Sequence, residues 1–262
     1  MPIILSSDWD SQAVLAIAKA MPTGKAEKWE IQAGKVFFKH RRAAYHVQCI
    51  ERCYREMINA MRLHASDKPL EDGTTSSYAG PLVEELLFNL DGFFEAERSA
   101  HDFVLSCMTT AEVLKKDAPS SLHAFYNGVR RKPGAYPCDP AEVCEGLAAF
   151  WEVTGKLTKE YRDCLSHSAS LSGPTWQHAA DMKWRDGAWR LQFHLPDKPT
   201  RNSYQLFTFG RKLDALKVCT EIKEQSDAFL KSLMVTCAAK WKATLDATGP
   251  HQITLRHVMI GD

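Results

Sequence analysis

The sequence lacks any run of about 18 apolar residues, so no membrane-spanning helix is expected. It also lacks an excess of either charge. Its 33 Lys and Arg against 32 Asp and Glu leave a formal net charge of +1, which argues against coating nucleic acid through bulk charge and leaves room only for a local basic site. No Cys-x-x-Cys pair or His-x-x-x-His cluster accompanies the 8 cysteines. Cys49 and Cys53 fall one helical turn apart, but two ligands do not make a zinc site. Reduced thiols in a cytoplasmic chain without metal or cofactor are therefore expected. There is no glycine-rich phosphate loop and no Gly-x-Ser-x-Gly elbow, which excludes the usual kinase, dehydrogenase and serine-hydrolase designs. The opening MPIILSSDWDSQ has neither the basic start nor the apolar run of a secretory signal.

What the sequence does contain is helical periodicity. Residues 1–33 read as an N-terminal extension, with a short helix capped by Asp8 or Asp10 and broken at Pro22 and Gly24. A long helix is predicted from about Lys35 to Leu63. Val36, Phe37, Ala44, Val47, Ile50, Tyr54, Ile58 and Met61 recur in it at intervals near three and four. Pro69, Gly73 and a Thr-Thr-Ser-Ser run mark 66–80 as loop. A second long helix follows from Pro81, which suits a first turn, to Met108. A shorter one is expected over Ser121–Arg130. Asp139-Pro140-Ala141-Glu142 has the form of a capped helix start, and an apolar face then runs through Leu147, Trp151, Tyr161 and Leu165 to about His167.

The pattern then switches. Asp186-Gly187 between aromatic-rich runs predicts a hairpin, and Tyr204–Phe209 a third strand. A last long helix is expected over Lys212–Ala243, before a tail at 246–262. Two strands are too few to bury a core alone. The reading is therefore a mainly α protein: an antiparallel helix bundle over 34–245 with a small inserted β-hairpin at about 175–209.

One segment has the residue types for chemistry. In Tyr161-Arg162-Asp163-Cys164-Leu165-Ser166-His167, helical geometry stacks Arg162 on Ser166 and Asp163 on His167, all within an arc of ~140°. An imidazole can move a proton near neutral pH. A carboxylate one turn back can orient it, and a guanidinium can brace a phosphate. The plainer alternative is that Arg and His near a helix C-terminus meet the dipole, with the Asp–His pair worth only ~0.2–0.5 kcal/mol. Arg98 on the second long helix pairs by spacing with Asp102 or, with Glu95, lines a cleft opposite Arg162. Lys39-His40-Arg41-Arg42 and Arg130-Arg131-Lys132 are short basic runs that either steer RNA or face solvent. The hairpin tryptophans Trp176, Trp184 and Trp189 either stack bases or anchor the sheet.

The Arg162-x-x-x-x-His167 segment resembles the signature of HEPN domains. Residues 84–105, EELLFNLDGFFEAERSAHDFVL, are similar to the helix that precedes that motif, with Asn89-Leu90, Phe93-Phe94 and Glu97-Arg98-Ser99 at matching places. The resemblance covers about 34–245. It implies a helix bundle, a homodimer with a composite cleft, and metal-independent cleavage of RNA by its own 2′-hydroxyl, in defence or toxin-like systems. It further implies catalysis by Arg162 and His167 supported by Asp163, and RNA contacts by Arg98, Ser166, Arg130 and Arg131. A regulatory protein partner is also implied. The position two residues after His167, a modified Tyr in some family toxins, is Ala169 here, so that control is not expected. The competing expectation is a HEPN-like module without catalysis that acts through protein partners or nucleotides.

Overall fold

A computed structural model of the chain describes residues 9–64, 74–76, 81–115, 119–168, 180–197, 199, 208–210 and 213–245. Among them are helices α1 (Trp9–Ala20), α2 (Thr23–His64), α3 (Pro81–Thr110), α4 (Leu122–Arg131), α5 (Glu142–Phe150), α6 (Lys156–Ser168) and α7 (Ala215–Trp241). A π-helical turn, Trp151–Gly155, joins α5 directly to α6. Four short strands are β1 (Thr75–Ser76), β2 (Ala180–Arg185), β3 (Ala188–Leu195) and β4 (Leu213–Asp214). The protein is thus mainly helical with a small antiparallel sheet, and no described helix is long and apolar enough to cross a membrane.

The 42-residue α2 and the 30-residue α3 pack along each other as the spine of the bundle. α1 and α7 flank α2, and α6 lies against α3. The expected helix boundary at Lys35 is corrected, because α2 starts at Thr23. Pro22 does end α1, but Gly24 sits inside the first turn of α2, where a weak helix former is tolerated. The residues set aside as an extension are core residues. Ile17, Trp29 and Ala33 are wholly buried, and Trp29 Nε1 donates to Val14 O at 3.0 Å, tying α1 to α2.

The apolar core falls into two clusters along the spine. One gathers α1, the first half of α2, the second half of α3, α4, α5 and the end of α7. The other gathers the second half of α2, the first half of α3, α6, the start of α7 and the sheet. Between them lies a polar layer. His40 Nδ1 donates to Glu97 Oε1 at 2.9 Å, and its Nε2 donates to Asp227 Oδ1 at 2.6 Å. His101 Nε2 lies 3.2 Å from Glu97 Oε2 and 3.1 Å from Ser226 Oγ. Burial opposes the charge on His40, yet Glu97 and Asp227 prevail and lift its pKa to about 9. Burial likewise opposes the charge on Glu97, and His40 and His101 outweigh it, leaving the carboxyl near about 2. A buried charge is kept only with such partners.

The hairpin forms as expected. β2 and β3 pair antiparallel through an Asp186–Gly187 turn whose φ angles are 50° and 73°, the left-handed geometry that suits a right-twisted ribbon. Trp189, Leu191, Phe193 and Leu195 bury the hairpin against the bundle, so Trp189 is an anchor and not a base platform. Trp184 packs edge-on against it, while Trp176 lies outside the described residues. Tyr54 clamps the sheet to α2, its hydroxyl donating to Asp214 Oδ2 and accepting from Phe193 N, both at 3.1 Å. The strand beside β3 is Leu213–Asp214; of the expected Tyr204–Phe209 strand, 204–207 lie outside the described residues and Thr208 and Phe209 form none. Thr75 and Ser76, read as loop, pair with β2. Asp139 does not cap α5. Its carboxylate turns instead to Lys240 at 2.6 Å and Lys115 at 3.6 Å, because α5 begins only at Glu142 and puts Ala141 at the cap position.

Candidate functional site

α6 is helical through Ser168, so Arg162 and Ser166, and Asp163 and His167, have the one-turn spacing expected of them. The side chains of Ser166 and His167 lie outside the described residues. Those of Arg162 and Asp163 face α3. Arg162 Nε donates to Glu95 Oε2 at 2.9 Å, and its Nη1 approaches Asp163 Oδ1 at 3.5 Å. The bond to Glu95 holds the guanidinium above its ordinary pKa. Asp163 is 8 % exposed and receives Lys159 Nζ at 2.5 Å, a partner one turn before it that the sequence reading did not assign.

Arg98 enters the same neighbourhood from α3. Its Nη1 lies 2.7 Å from Asp102 Oδ1, so the intrahelical pair read from the spacing is present. The charges of Asp163 and Arg162 both act on it, which puts it beside the α6 residues as well. Burial lowers its pKa, and the two carboxylates oppose that. Asp102 has a second task. Its Oδ1 accepts from Leu122 N at 3.0 Å, fixing the start of α4 on α3. That start is itself capped, with Ser121 Oγ accepting from Ala124 N at 3.2 Å.

α4 then contributes His123, which the sequence reading missed. Its ring stacks on Trp151 at 5.1 Å between centroids and its Nε2 accepts from Asn127 Nδ2 at 2.9 Å. Arg98 lies over the same indole, with its Cζ 5.5 Å from the ring centre. Burial first, then the cations of Lys159 and Arg98, lower the His123 pKa, so the ring is neutral near pH 7. The only sequence signal was the His123–Asn127 spacing at the start of a capped helix. The π-turn sets the indole here, and Gly155 makes room, since a Cβ at that position would stand 2.7 Å from Trp151 Cε3. Such turns inside α-helices are frequent at functional sites.

The assembled site is a seam of α3, α4 and α6 in which Arg98, Lys159 and Arg162 interleave with Glu95, Asp102 and Asp163, and His123 stands beside them. It can hold an anion at Arg162 by exchanging the Glu95 carboxylate for it, because both side chains of that pair are accessible, at 37 % and 43 %. The remaining expected RNA contacts stand apart. Arg130 and Arg131 are exposed in the last turn of α4, roughly 10–12 Å along the helix from His123. Within the Lys39–Arg42 run, His40 is buried in the polar layer and Arg41 Nη2 is bonded to Ser11 Oγ at 2.8 Å, which leaves Lys39 half-buried and Arg42 exposed. Among the described residues no group of His, Cys, Asp and Glu is arranged to hold a metal ion. Comparisons with protein-family models, with curated proteins and with solved structures returned no match.

Proposed function

We propose that this chain is a HEPN-type endoribonuclease that cleaves RNA without metal, with the seam of α3 and α6 as its active site. The reading is supported chiefly by one observation: the accessible Arg162 lies beside the buried Asp163, with the charge of the buried Arg98 acting on both, on a helix that continues one turn further to His167. In this reading Arg162 releases Glu95 and takes a phosphate oxygen of the scissile linkage. His167 accepts the proton of the 2′-hydroxyl as its oxygen bonds to phosphorus. The bond from phosphorus to the 5′-oxygen breaks, and that oxygen takes a proton from the second motif of a homodimer or from water. The products are a 2′,3′-cyclic phosphate and a 5′-hydroxyl. Asp163, held by Lys159, orients the motif. Ser166 contacts the RNA backbone, the exposed Arg130 and Arg131 steer it from the edge, and Arg98, expected to touch RNA but buried against Asp102 and Trp151, adds only its charge from behind Arg162.

A second reading follows from the fact that Arg98, Lys159 and Arg162 each have a carboxylate partner within the chain. A seam so neutralised also suits a non-catalytic module that binds nucleotides or a protein partner. The two separate in one assay. Purified protein is incubated with structured and unstructured RNA in EDTA beside His167→Ala and Arg162→Ala. Cleavage that resists EDTA, yields cyclic-phosphate ends and disappears in both variants supports the nuclease. Intact RNA in all samples, with phosphate-dependent binding retained, favours the module.

A further inference from the structure

A cavity of about 330 Å³ opens between α1 and α2. It lies at the lower end of the ~300–1,000 Å³ range of small-molecule sites. Its wall is part apolar, from Val14, Leu15, Phe37 and Phe38, of which Phe38 is 68 % exposed. Its polar groups are of opposite sign. Asp10 is only 8 % exposed and its carboxylate hydrogen-bonds to no described residue. Burial raises its pKa, and among the nearby charges Arg41 is the strongest of those that favour its ionised form. Arg41 lines the same cavity. Its Nη2 is used by Ser11, while its buried Nε has no acceptor among the described residues.

A largely buried carboxylate with no hydrogen-bond donor among the described residues, and a guanidinium on the same wall, give the cavity one group of each charge. A ligand of one charge would satisfy one of them and oppose the other. A ligand with both charges and an apolar body meets all three features of the wall. We infer that this cavity binds a free α-amino acid with an apolar side chain, its ammonium on Asp10, its carboxylate on Arg41, and its side chain against Phe37 and Phe38. Glu30 at the margin adds a second attraction for the ammonium and disfavours simple anions. The site is independent of the nuclease reading, and the two stand or fall separately.

The test is calorimetric titration of the full chain with L-phenylalanine and L-leucine, beside phenethylamine, which lacks the carboxylate, and 3-phenylpropionate, which lacks the amine. Saturable one-site binding of both amino acids is expected, with each truncated analogue weaker by about tenfold or more, as for loss of a charge-assisted hydrogen bond. Asp10→Asn and Arg41→Met should weaken L-phenylalanine by a similar factor. Gly34 also lines the cavity, and a Cβ there meets no atom within 4 Å, so Gly34→Leu fills the space on an intact fold. That variant should melt at or above the temperature of the parent and bind no amino acid. No heat from either amino acid overturns the inference. So does an analogue that binds as tightly as L-phenylalanine, or undiminished binding by a folded Gly34→Leu protein.

Discussion

The polar layer around Glu97 and the seam around Arg162 both set acids of α3 against cations, yet one is sealed and the other open. Glu97 is wholly buried and His40 is 3 % exposed, so each charge there is matched inside the chain and no ligand reaches it. At the seam, the Arg162 side chain keeps 37 % of its surface, and its partner Glu95 is still more accessible. Residue type does not separate the two clusters; access does. A buried pair resists any change of partner because separating it strands a charge in low dielectric. An exposed pair changes partner at little cost, which is what a site that must take and release an anion requires.

The sealed layer is most sensitive at Glu97. Glu97→Ala leaves His40 facing only Asp227 and should destabilise the protein by about 3–5 kcal/mol in urea unfolding near pH 6. Replacing His40 and Glu97 together by Leu should recover much of that loss, since no charge is then stranded. A loss below ~1 kcal/mol in the single variant would show that the layer is not held by charge. The same layer has a pH signature. His40 is raised from 6.5 to about 9, so its contribution is complete below 6.5 and disappears as pH rises through 9. Glu97 is lowered from 4.5 to about 2, so its contribution is complete above 4.5 and disappears as pH falls through 2. The pair titrates together, and stability from this layer should be greatest between about 4.5 and 6.5. In His40→Leu the decline on the alkaline side should flatten.

Next in size is Gly155. Gly155→Ala presses a methyl against the Trp151 ring and should cost about 1–3 kcal/mol by overpacking. It should also move His123, which stacks on that ring, so its imidazole resonances should shift in NMR while those of His40 do not. Equal shifts at both would mean that seam and layer move as one body.

The sequence reading found most of the architecture because apolar periodicity is local and strong. The spans of α3, α4 and the hairpin were legible from Pro81, Ser121 and Asp186-Gly187, each a residue with one structural use. The start of α2 was not, because Gly24 read as a break, while what carries the helix through it is burial of Trp29 and Ala33 in the core. That Arg162 and Asp163 share one arc of α6 was legible from helical spacing, and a place for Glu95 and Arg98 opposite Arg162 was one of two alternatives the spacing offered. The polar layer was not. His40 stood in a basic run that read as steering RNA or facing solvent, and its partners Glu97 and Asp227 lie 57 and 187 residues away. His123 was missed for the same reason, since its place is set by a stacking contact with Trp151 on another element.

The mildest substitution separates the open seam from the sealed layer. Glu95→Gln removes the charge that neutralises Arg162 but keeps the shape of the side chain. Stability should change by no more than about 0.5 kcal/mol, because an exposed pair is worth little. Affinity for RNA should nonetheless rise, by about two- to fivefold in fluorescence anisotropy at moderate salt, since the phosphate no longer competes with a carboxylate for Arg162. The equivalent change in the sealed layer, Glu97→Gln, should do the reverse, with stability lowered and RNA affinity unaltered in the folded fraction. If Glu95→Gln instead weakens RNA binding, the carboxylate is not a competitor but part of what positions Arg162. The seam would then be built as rigidly as the layer beneath it, and exchange of partners at Arg162 would no longer describe how it takes an anion.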